Sequence, residues 1–444
     1  MKLKYLLTLL AGGACAFAAP AQVRTDDAAA RSVDQEYPSL FELYKHIHTH
    51  PELSLHEKET AARIAEELRK AGLEVTTGVG GNGVVGVLRN GPGPTVLLRT
   101  ELDALPVKEE TGLPYASTAT TRNDDGMEVP VMHACGHDVH MTVFVGTARL
   151  LKQMQSQWQG TLVMIGQPAE ELGDGARDML KDGLYQRFPR PDYCLALHCT
   201  PDQPAGTVGW TEGPANANVD SVDITIRGVG GHGAFPQDTK DPIVLAAETV
   251  LALQTIVSRE LKPGTPAVVT VGSIHGGTKH NIIPDEVKLQ LTIRSYSDEV
   301  RLQTIAAIQR ITRGLGLAAG VPEDRMPVVH VLENDSTPVM VNDPALTRRV
   351  TGVFRSVFGD AHVFHKDPVM GGEDFGQLGR TEAKVPTCMF WLGTISVESK
   401  MESLRTGKPL PSLHSSLFAP LPEPSIKTGI RAMTAAFLEL AGKK

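Results

Sequence analysis

A short segment of the sequence concentrates side chains that bind divalent metals. His133, Cys135, His137 and His140 all lie between positions 133 and 140. Thiolate and imidazole groups are the ligands that zinc and related metals prefer. A helix start with a buried cysteine and solvated histidines would give the same composition. The segment alone favours a metal site over this alternative, and further ligands elsewhere in the chain would strengthen the prediction.

Two adjacent carboxylates are such candidates. Glu170 and Glu171 closely follow the apolar run 161–166. Because neighbouring residues point in different directions, one carboxylate can bind a metal while the other accepts a proton from water. Seen alone, the pair is slightly better explained as a charged surface turn. His198 and His414 are single histidines, which are more often held by hydrogen bonds than by a metal, so they count only if the fold brings them to the same place.

Three apolar runs are spaced to bring these side chains together. They span residues 95–99, 161–166 and 193–197 and have the composition of buried strands in an α/β sheet. Sites in open α/β sheets form at the carboxyl ends of such strands. The polar residues that follow the three runs are Glu101 and Asp103, then Glu170 and Glu171, then His198. Before the first of these runs we expect a helical region that begins at about Asp34. Its clearest part covers about 61–71 and ends at Gly72.

The pattern changes between about residues 215 and 326. Alternating apolar residues from 222 to 226 indicate a strand, and the order β-α-β-β-α follows, with an apolar run at 328–332 as the closing strand. This order is typical of a ferredoxin-like unit. We therefore predict a catalytic domain of residues 34–214 and 327–444, with an inserted lid or dimerisation domain of residues 215–326.

Taken together, these motifs resemble the amidohydrolase branch of the aminoacylase-like two-metal peptidases, the group of hippurate hydrolases and indole-acetyl amino-acid hydrolases. The resemblance covers nearly the whole chain after its N-terminal segment. It implies an α/β metallopeptidase catalytic domain with a mixed sheet and helices on both faces, plus the inserted ferredoxin-like α+β domain. The motifs that carry it are Arg99-x-x-x-Asp103-Ala104-Leu105-Pro106, residues 133–140, Pro168-Ala169-Glu170-Glu171, His198, Gly231-His232-Gly233-Ala234-Phe235-Pro236, Asn281-Ile282-Ile283-Pro284-Asp285, Gly372-Glu373-Asp374-Phe375 and Leu413-His414.

The resemblance also implies two divalent metal ions per subunit. Zinc is the favoured metal, and manganese, cobalt or nickel would accept the same imidazole and carboxylate ligands. The implied ligands are Cys135, His137, Glu171, His198 and His414. At Glu101 the sequence departs from the family pattern, which usually has aspartate there. The longer side chain could alter the metal spacing or simply lie beside the metals.

Five further residues receive roles from the same resemblance. Glu170 is the general base, and Asp103 orients a metal ligand. His232, from the inserted domain, helps to stabilise the tetrahedral oxyanion, often in the site of the partner subunit. Asn281 and Arg294 contact the carboxylate of the substrate. We therefore expect a homodimer whose two subunits are joined through the inserted domain.

A hydrolase built in this way cuts an amide bond next to a free carboxylate, as in N-acyl amino acids. A dipeptidase or carboxypeptidase uses the same chemistry and differs only in the acyl pocket, so the sequence leaves this alternative open. A non-catalytic binding homologue is disfavoured because the base and all five ligand positions are present. Trp210, Phe235 and Phe375 are candidates for an aromatic acyl pocket, although core packing is the commoner role of any single one.

Composition and the N-terminus suggest the partners and the compartment. The formal net charge of -8 argues against a nucleic-acid partner. Residues 1–21 carry Lys2 and Lys4 ahead of an uncharged apolar run and end in alanines spaced for cleavage. They predict a secretory signal, hence a periplasmic or secreted enzyme with no stable membrane insertion after cleavage. Cys194, Cys199 and Cys388 fit no disulfide framework and are expected to be buried free thiols.

Overall fold

The computed structural model describes residues 21–443, with side chains from residue 28 onward. The predicted secretory signal, residues 1–21, lies outside the described residues except for its last position. The α-helices of the described part of the chain are α1 (Ala21–Thr49), α2 (Lys58–Lys70), α3 (His137–Gln153), α4 (Gly175–Lys181), α5 (Leu184–Arg187), α6 (Pro242–Thr255), α7 (Asp298–Ala318), α8 (Pro344–Phe358), α9 (Val397–Thr406) and α10 (Pro422–Ala441).

The strands form one large sheet, one four-stranded sheet and three two-stranded ribbons. They are β1 (Glu74–Val79), β2 (Gly83–Asn90), β3 (Thr95–Glu101), β4 (Thr120–Arg122), β5 (Glu128–Pro130), β6 (Gly160–Gln167), β7 (Tyr193–Pro204), β8 (Val208–Trp210), β9 (Gly213–Asn216), β10 (Asn218–Arg227), β11 (Gly231–His232), β12 (Ala267–Gly276), β13 (Ile282–Ile283), β14 (Glu286–Ser295), β15 (Val328–Thr337), β16 (Met340–Asn342), β17 (Val363–His365) and β18 (Thr387–Ile395).

The large sheet has the order β1-β2-β6-β3-β7-β18-β8-β17. Its centre is parallel, because β3 pairs in parallel with β6 and β7, and β7 pairs in parallel with β18. Antiparallel pairs, such as β1 with β2 and β2 with β6, make the whole sheet mixed. Side chains alternate between its faces: Val96 and Leu98 join one core cluster, whereas Leu97 joins the other. Helices α1, α3 and α10 pack on the first face and α4 and α5 on the second, so the predicted α/β fold with helices on both faces is confirmed.

The four-stranded sheet has the order β12-β14-β10-β15, with every neighbouring pair antiparallel. Ile224 and Leu289 are cross-strand partners, and they share a core cluster with Leu253 of α6 and Ile308 of α7. Two helices on a four-stranded antiparallel sheet correspond to the ferredoxin-like arrangement. The closing strand β15 ends at Thr337, so this sheet extends beyond residue 326.

Helix α6 has two unlike faces. Leu245 and Leu253 are buried against the small sheet, whereas Val244 and Leu251 are exposed. By length and composition alone, the helical segment Pro242–Glu260 could cross a membrane. About a third of its most apolar stretch is buried inside the fold. The helix is therefore a covering element of the small sheet with an apolar outer surface.

Helix α1 begins earlier than the sequence suggested. We expected the helical region to begin at about Asp34, but α1 is continuous from Ala21. Ala29 and Val33 extend the buried stripe that includes Leu40, and this stripe packs against α3 and α10. Most helical stability in proteins comes from such packing, so tertiary contact rather than local composition sets where α1 starts.

Candidate metal centre

The ends of three neighbouring strands supply most of the candidate residues. β3 leads into Glu101 and Asp103, β6 leads into Glu170, and His198 lies within β7. Because β3 lies between β6 and β7 and all three run in parallel, their carboxyl ends meet at one edge of the sheet. The start of α3 adds His137 at the same edge.

Cys135, His137 and His198 form the first group of candidate ligands. Their donor atoms lie within 4.8 Å of one another, and Cys135 Sγ is 3.5 Å from His198 Nε2. His198 Nδ1 donates to the carbonyl of Cys199 at 2.8 Å. His137 Nδ1 donates to the carbonyl of Asp103 at 2.8 Å. A proton on Nδ1 leaves Nε2 with a free lone pair, which is the state in which a neutral imidazole binds a metal.

Glu171 and His414 join Cys135 in a second group whose donor atoms also lie within 4.8 Å of one another. His414 Nε2 is 3.4 Å from Glu171 Oε2. The backbone of His414 has φ 64°, a left-handed conformation that is uncommon outside glycine. Its N–H donates to the carbonyl of Ala134 at 2.9 Å, and this bond joins the C-terminal segment to the one that carries Cys135. Cys135 belongs to both groups.

Two buried atoms that could bind a metal have no hydrogen-bond partner among the described residues. They are His137 Nε2 and Glu171 Oε1, which lie 4.0 Å apart, too far for a hydrogen bond. A buried polar atom without a partner is costly, and a cation between the two would satisfy both. One thiol, three imidazoles and one carboxylate also form a donor set that divalent transition metals accept. The residues therefore fit a two-ion site around Cys135.

Glu101 is held by its own neighbours. It accepts hydrogen bonds from Arg99 and, at 3.0 Å, from His140 Nδ1. His140 Nε2 accepts from the N–H of Cys199 at 2.8 Å, so both nitrogens of that ring are engaged. In this arrangement Glu101 lies beside the candidate ligands as a partner of Arg99 and His140. His133, from the same segment, is buried, and its burial lowers its pKa to about 4.

A buried ion-pair network extends from Glu101 into the motif at 372–375. Arg99 Nη2 is 2.9 Å from Glu373 Oε1 and 3.0 Å from Asp374 Oδ1. Gln167 accepts from Arg99 Nε at 2.9 Å and donates to Asp374 at 2.7 Å. Glu373 and Asp374 were part of a recognised motif, but the sequence offered no role for them. The structure makes them the partners of Arg99.

The electrostatic environment disfavours isolated charges. Burial, with the nearby charges of Glu373 and Glu171, raises the pKa of Glu170 well above its usual value. Burial also raises the pKa of the Cys135 thiol, and Glu171 and Glu170 add to the effect. Burial lowers the pKa of His198 to about 3. A divalent cation would favour the thiolate and the carboxylates and so reverse the shifts of the acidic groups.

A cavity of about 750 Å³ opens over these groups. Its lining includes Glu170, four of the five predicted ligands, and Arg294 of β14. Arg294 is half-buried, and its Nη1 donates to the carbonyl of Met370 at 2.9 Å. Among the described residues it has no ion pair, and burial lowers its pKa. The cavity thus holds a guanidinium that is free to receive an anion.

None of the three suggested aromatics lines this cavity. Phe375 is fully buried in the core, and Phe235 is exposed on the small domain. Trp210 packs against His365, with ring centroids 4.8 Å apart. Phe375 thus packs in the core, Trp210 is partly buried beside His365, and Phe235 lies on the surface, so within one chain none of the three forms an acyl pocket.

The cavity lining includes instead Trp391, Lys366 and Asp202. Lys366 Nζ is 3.3 Å from Asp202 Oδ2 and lies 5.3 Å from the ring centroid of Trp391. Trp391 sits in the apolar strand β18, where a sequence pattern cannot distinguish it from a core residue. The sequence carried no signal for this part of the site.

His232 and Asn281 lie together but do not line the cavity. His232 pairs with Ile282 in the ribbon of β11 and β13, and the N–H of Gly233 donates to the carbonyl of Asn281 at 2.9 Å. Both residues are exposed. Within one chain, the structure brings Arg294 to the candidate ligands and leaves His232 and Asn281 on the surface of the small domain.

The family described as Peptidase family M20/M25/M40 matches residues 97–405, which is more than half of the chain. The chain belongs to this family. It is a metal-dependent hydrolase that acts on carbon–nitrogen amide bonds. The predicted family resemblance is thereby confirmed.

Several relatives share most of the length of this chain. It is 36% identical over 406 residues to N-acetyldiaminopimelate deacetylase of Limosilactobacillus reuteri, covering 90% of this chain and 97% of the relative. It is 37% identical over 343 residues to N-acetyl-L-cysteine deacetylase of Bacillus subtilis, covering 76% of each. It is 37% identical over 360 residues to thermostable carboxypeptidase 2 of Saccharolobus solfataricus, covering 80% and 86%. A solved dinuclear metal-binding peptidase of the M20 family from Bacillus subtilis has a TM-score of 0.73 at 27% identity, covering 93% of this chain and 99% of that one.

Because Cys135 belongs to both candidate ligand groups, its replacement should change the metal content. We expect Cys135→Ser to lose at least one of two metal ions per chain, because a serine hydroxyl is not ionised where a cysteine thiol can be. Elemental analysis of the purified protein measures this directly. Cys388→Ser is the matched control, since Cys388 is another buried thiol, hydrogen-bonded by Thr347. Equal metal content in Cys135→Ser and the wild type would contradict the assignment.

Proposed function

We propose that this enzyme hydrolyses the amide bond of N-acyl amino acids. The observation that carries the proposal is a single cavity lined by Glu170, by four of the five candidate metal ligands and by a half-buried Arg294 that has no ion pair among the described residues. An amide bond next to a free carboxylate matches this combination of groups. Relatives named as deacetylases of N-acetylcysteine and N-acetyldiaminopimelate support the same substrate class.

The proposed metal ligands form two sets that share Cys135. Cys135, His137 and His198 would hold one ion, and Cys135 with Glu171 and His414 would hold the other. Zinc is the favoured ion, with manganese, cobalt or nickel as alternatives. When bound, such ions acidify a water molecule near neutral pH and polarise the amide carbonyl.

Glu170 is the proposed general base. Its Oε2 is 3.6 Å from His137 Nε2, so the carboxylate lies next to the ligands. It takes a proton from the attacking water and delivers a proton to the leaving nitrogen, so that water and the amide give a carboxylic acid and an amine. Burial raises the pKa of Glu170, and a divalent cation nearby would lower it again, so that the carboxylate could accept the proton of water. Asp103 acts on His137, whose ring its carbonyl orients.

Arg294 is the proposed anchor for the substrate carboxylate. A guanidinium can meet a carboxylate with two parallel hydrogen bonds, and Met370 occupies only one of its nitrogens. This contact would set the distance between the substrate carboxylate and the bond that is cut. It would therefore select amides derived from amino acids.

Hydrolysis of dipeptides or of peptide C-termini is the second candidate. It uses the same centre, and the similarity to a thermostable carboxypeptidase supports it. A dipeptide carries a free amino group that needs an acidic partner in the cavity. Asp202 is already paired with Lys366 at 3.3 Å, and Asp335, which also lines the cavity, is the acidic side chain that could receive this amino group.

We further propose a homodimer in which His232 and Asn281 of each subunit serve the cavity of the other. Both residues are exposed and lie away from the cavity lining of their own chain. Nearby apolar side chains such as Phe235 and Ile282 are also exposed, as is Leu251 on α6. Exposed apolar surface of this kind marks interaction sites. In the dimer, His232 would stabilise the oxyanion and Asn281 would assist in binding the substrate carboxylate.

Export to the periplasm or the exterior is part of the same proposal. Lys2, Lys4 and the uncharged apolar run that follows them support it. The substrate would then be an extracytoplasmic acylated amino acid.

Replacement of the proposed base tests the mechanism. We expect Glu170→Gln to keep both metals and to lose about 100-fold or more in kcat, because an amide cannot accept the proton of water. Turnover of an N-acetyl amino acid and elemental analysis are measured on the same sample. A variant that retains more than about a tenth of the wild-type rate would exclude Glu170 as the base.

Removal of the substrate charge tests the anchor. We expect N-acyl amino acids to have a much higher kcat/KM than the corresponding N-acyl amino amides, and we expect Arg294→Ala to abolish that preference, because a neutral amide cannot replace the carboxylate. Arg313→Ala is the control, since Arg313 is a surface arginine of the same domain, paired with Glu323. Equal kcat/KM for acid and amide in the wild type would contradict the anchor.

Mixed dimers test the role of His232. We expect His232→Ala and Glu170→Gln each to be nearly inactive, and co-expression of the two to restore activity, because one cavity of the mixed dimer then has both residues intact. A mixture of Glu170→Gln and Cys135→Ser is the control, since both changes lie in the same cavity and no mixed dimer is complete. Failure of the first mixture to recover activity would show that His232 does not act across subunits.

A further inference from the structure

The residue before the proposed base has a strained backbone. Ala169 has φ 50° and is one of four described residues other than glycine with positive φ. The left-handed region is disfavoured for any residue with a Cβ atom. Such a conformation persists only where surrounding contacts hold it. The direction of Glu170 therefore depends on whatever holds Ala169.

A carboxylate outside the cavity supplies this contact. Glu57 is buried, and its Oε1 accepts the N–H of Ala169 at 2.8 Å. The same oxygen accepts the N–H of Leu55 at 2.8 Å, and Leu55 is also left-handed, with φ 68°. The other oxygen accepts from Asn82 Nδ2 at 3.0 Å. One side chain thus connects two strained residues that are distant in sequence.

The peptide on the other side of Glu170 is held from the same loop. Asp103 Oδ2 accepts the N–H of Glu171 at 2.9 Å. Ser54 donates to the same oxygen at 2.6 Å. Residues 54–57 therefore contact, directly or through Asp103, both backbone groups that flank Glu170.

Glu57 has no comparable duty in its own helix. It occupies the N-cap position of α2, but its side chain makes no capping hydrogen bond there. Glu52 accepts the first N–H groups of that helix instead, from Glu59 at 3.2 Å and from Thr60 at 2.7 Å. The carboxylate of Glu57 is thus used for the turn that carries Glu170.

We propose that Glu57 is a positioning residue of this hydrolase, which holds Ala169 in the left-handed conformation and thereby aims Glu170 at the water. Glu57 does not line the cavity, so it acts through the backbone and not on the substrate. The inference rests on the proposed function of Glu170 as the base.

The first test removes the contact. Glu57→Ala should lower kcat about 10- to 100-fold, the scale of loss expected when a catalytic group is displaced by about 1 Å. KM and the two metals should change little, because the ligands and Arg294 are untouched. Glu57→Gln, which keeps an oxygen for the N–H of Ala169, should retain most of the wild-type kcat. If Glu57→Ala fails to fold, Glu57→Asp replaces it, since the shorter side chain keeps the charge but withdraws it from Ala169.

The second test restores the conformation by another route. Glycine adopts positive φ without a Cβ penalty. Adding Ala169→Gly to the Glu57→Ala variant should therefore recover a substantial part of the lost kcat. Glu52→Ala is the matched control: it removes a carboxylate of the same loop that also accepts two backbone N–H groups, and it should lower Tm while leaving kcat unchanged.

The outcomes separate the inference from the function on which it rests. Loss of kcat in Glu57→Ala with rescue by Ala169→Gly supports the positioning role. Unchanged kcat in Glu57→Ala, or a loss that Ala169→Gly does not relieve, overturns it, provided that Glu170→Gln is inactive. If Glu170→Gln is active, the proposed base itself is wrong.

Discussion

The candidate site buries more carboxylates than the nearby arginine can neutralise, and the rest of the structure depends on this constraint. The carboxylates gathered at one edge of the sheet are Glu101, Asp103, Glu170, Glu171, Glu373 and Asp374. Burying ionised groups is costly unless they are paired. Arg99 is paired with Glu101, Glu373 and Asp374. Glu170 and Glu171 are left beside a thiol and three imidazoles, and divalent cations are the natural complement of that arrangement.

This electrostatic requirement explains why the site needs so much of the chain. No single segment could supply a compact set of charges and also hold each one still. The parallel strands β3, β6 and β7 bring the carboxylates together, and backbone carbonyls fix the rings of His137 and His198. The C-terminal segment adds His414 through a hydrogen bond to Ala134. The small domain adds Arg294, which lies on β14 of the separate four-stranded sheet and lines the same cavity.

Much of this fold could be predicted from the sequence, because burial leaves a direct trace in composition. The apolar runs at 95–99, 161–166 and 193–197 became central strands, since strands covered on both faces are apolar throughout. Cys194, Cys199 and Cys388 are buried free thiols, as expected. The predicted start of α1 was wrong because packing against α3 and α10 sets where the helix begins, and local composition does not show this packing.

The site was less accessible to sequence reasoning for a related reason. The candidate ligands came from a family resemblance, and their roles stay a prediction. Trp391 and Lys366 line the cavity, but the sequence pattern around each of them predicts only secondary structure and gives no sign of a role in the site. The contact between Glu57 and Ala169 joins positions 112 residues apart. Contacts of this kind follow from the tertiary fold and have no local signature.

The central proposal is that two divalent ions would share Cys135 as a ligand. Anomalous diffraction from crystals of the metal-loaded enzyme tests it most directly, with data collected on both sides of the absorption edge of the metal. The account predicts two peaks per chain about 3.5–4 Å apart, each within bonding distance of the Cys135 sulfur, about 2.3 Å for zinc. A single peak, or a second peak that Cys135 does not reach, would contradict it.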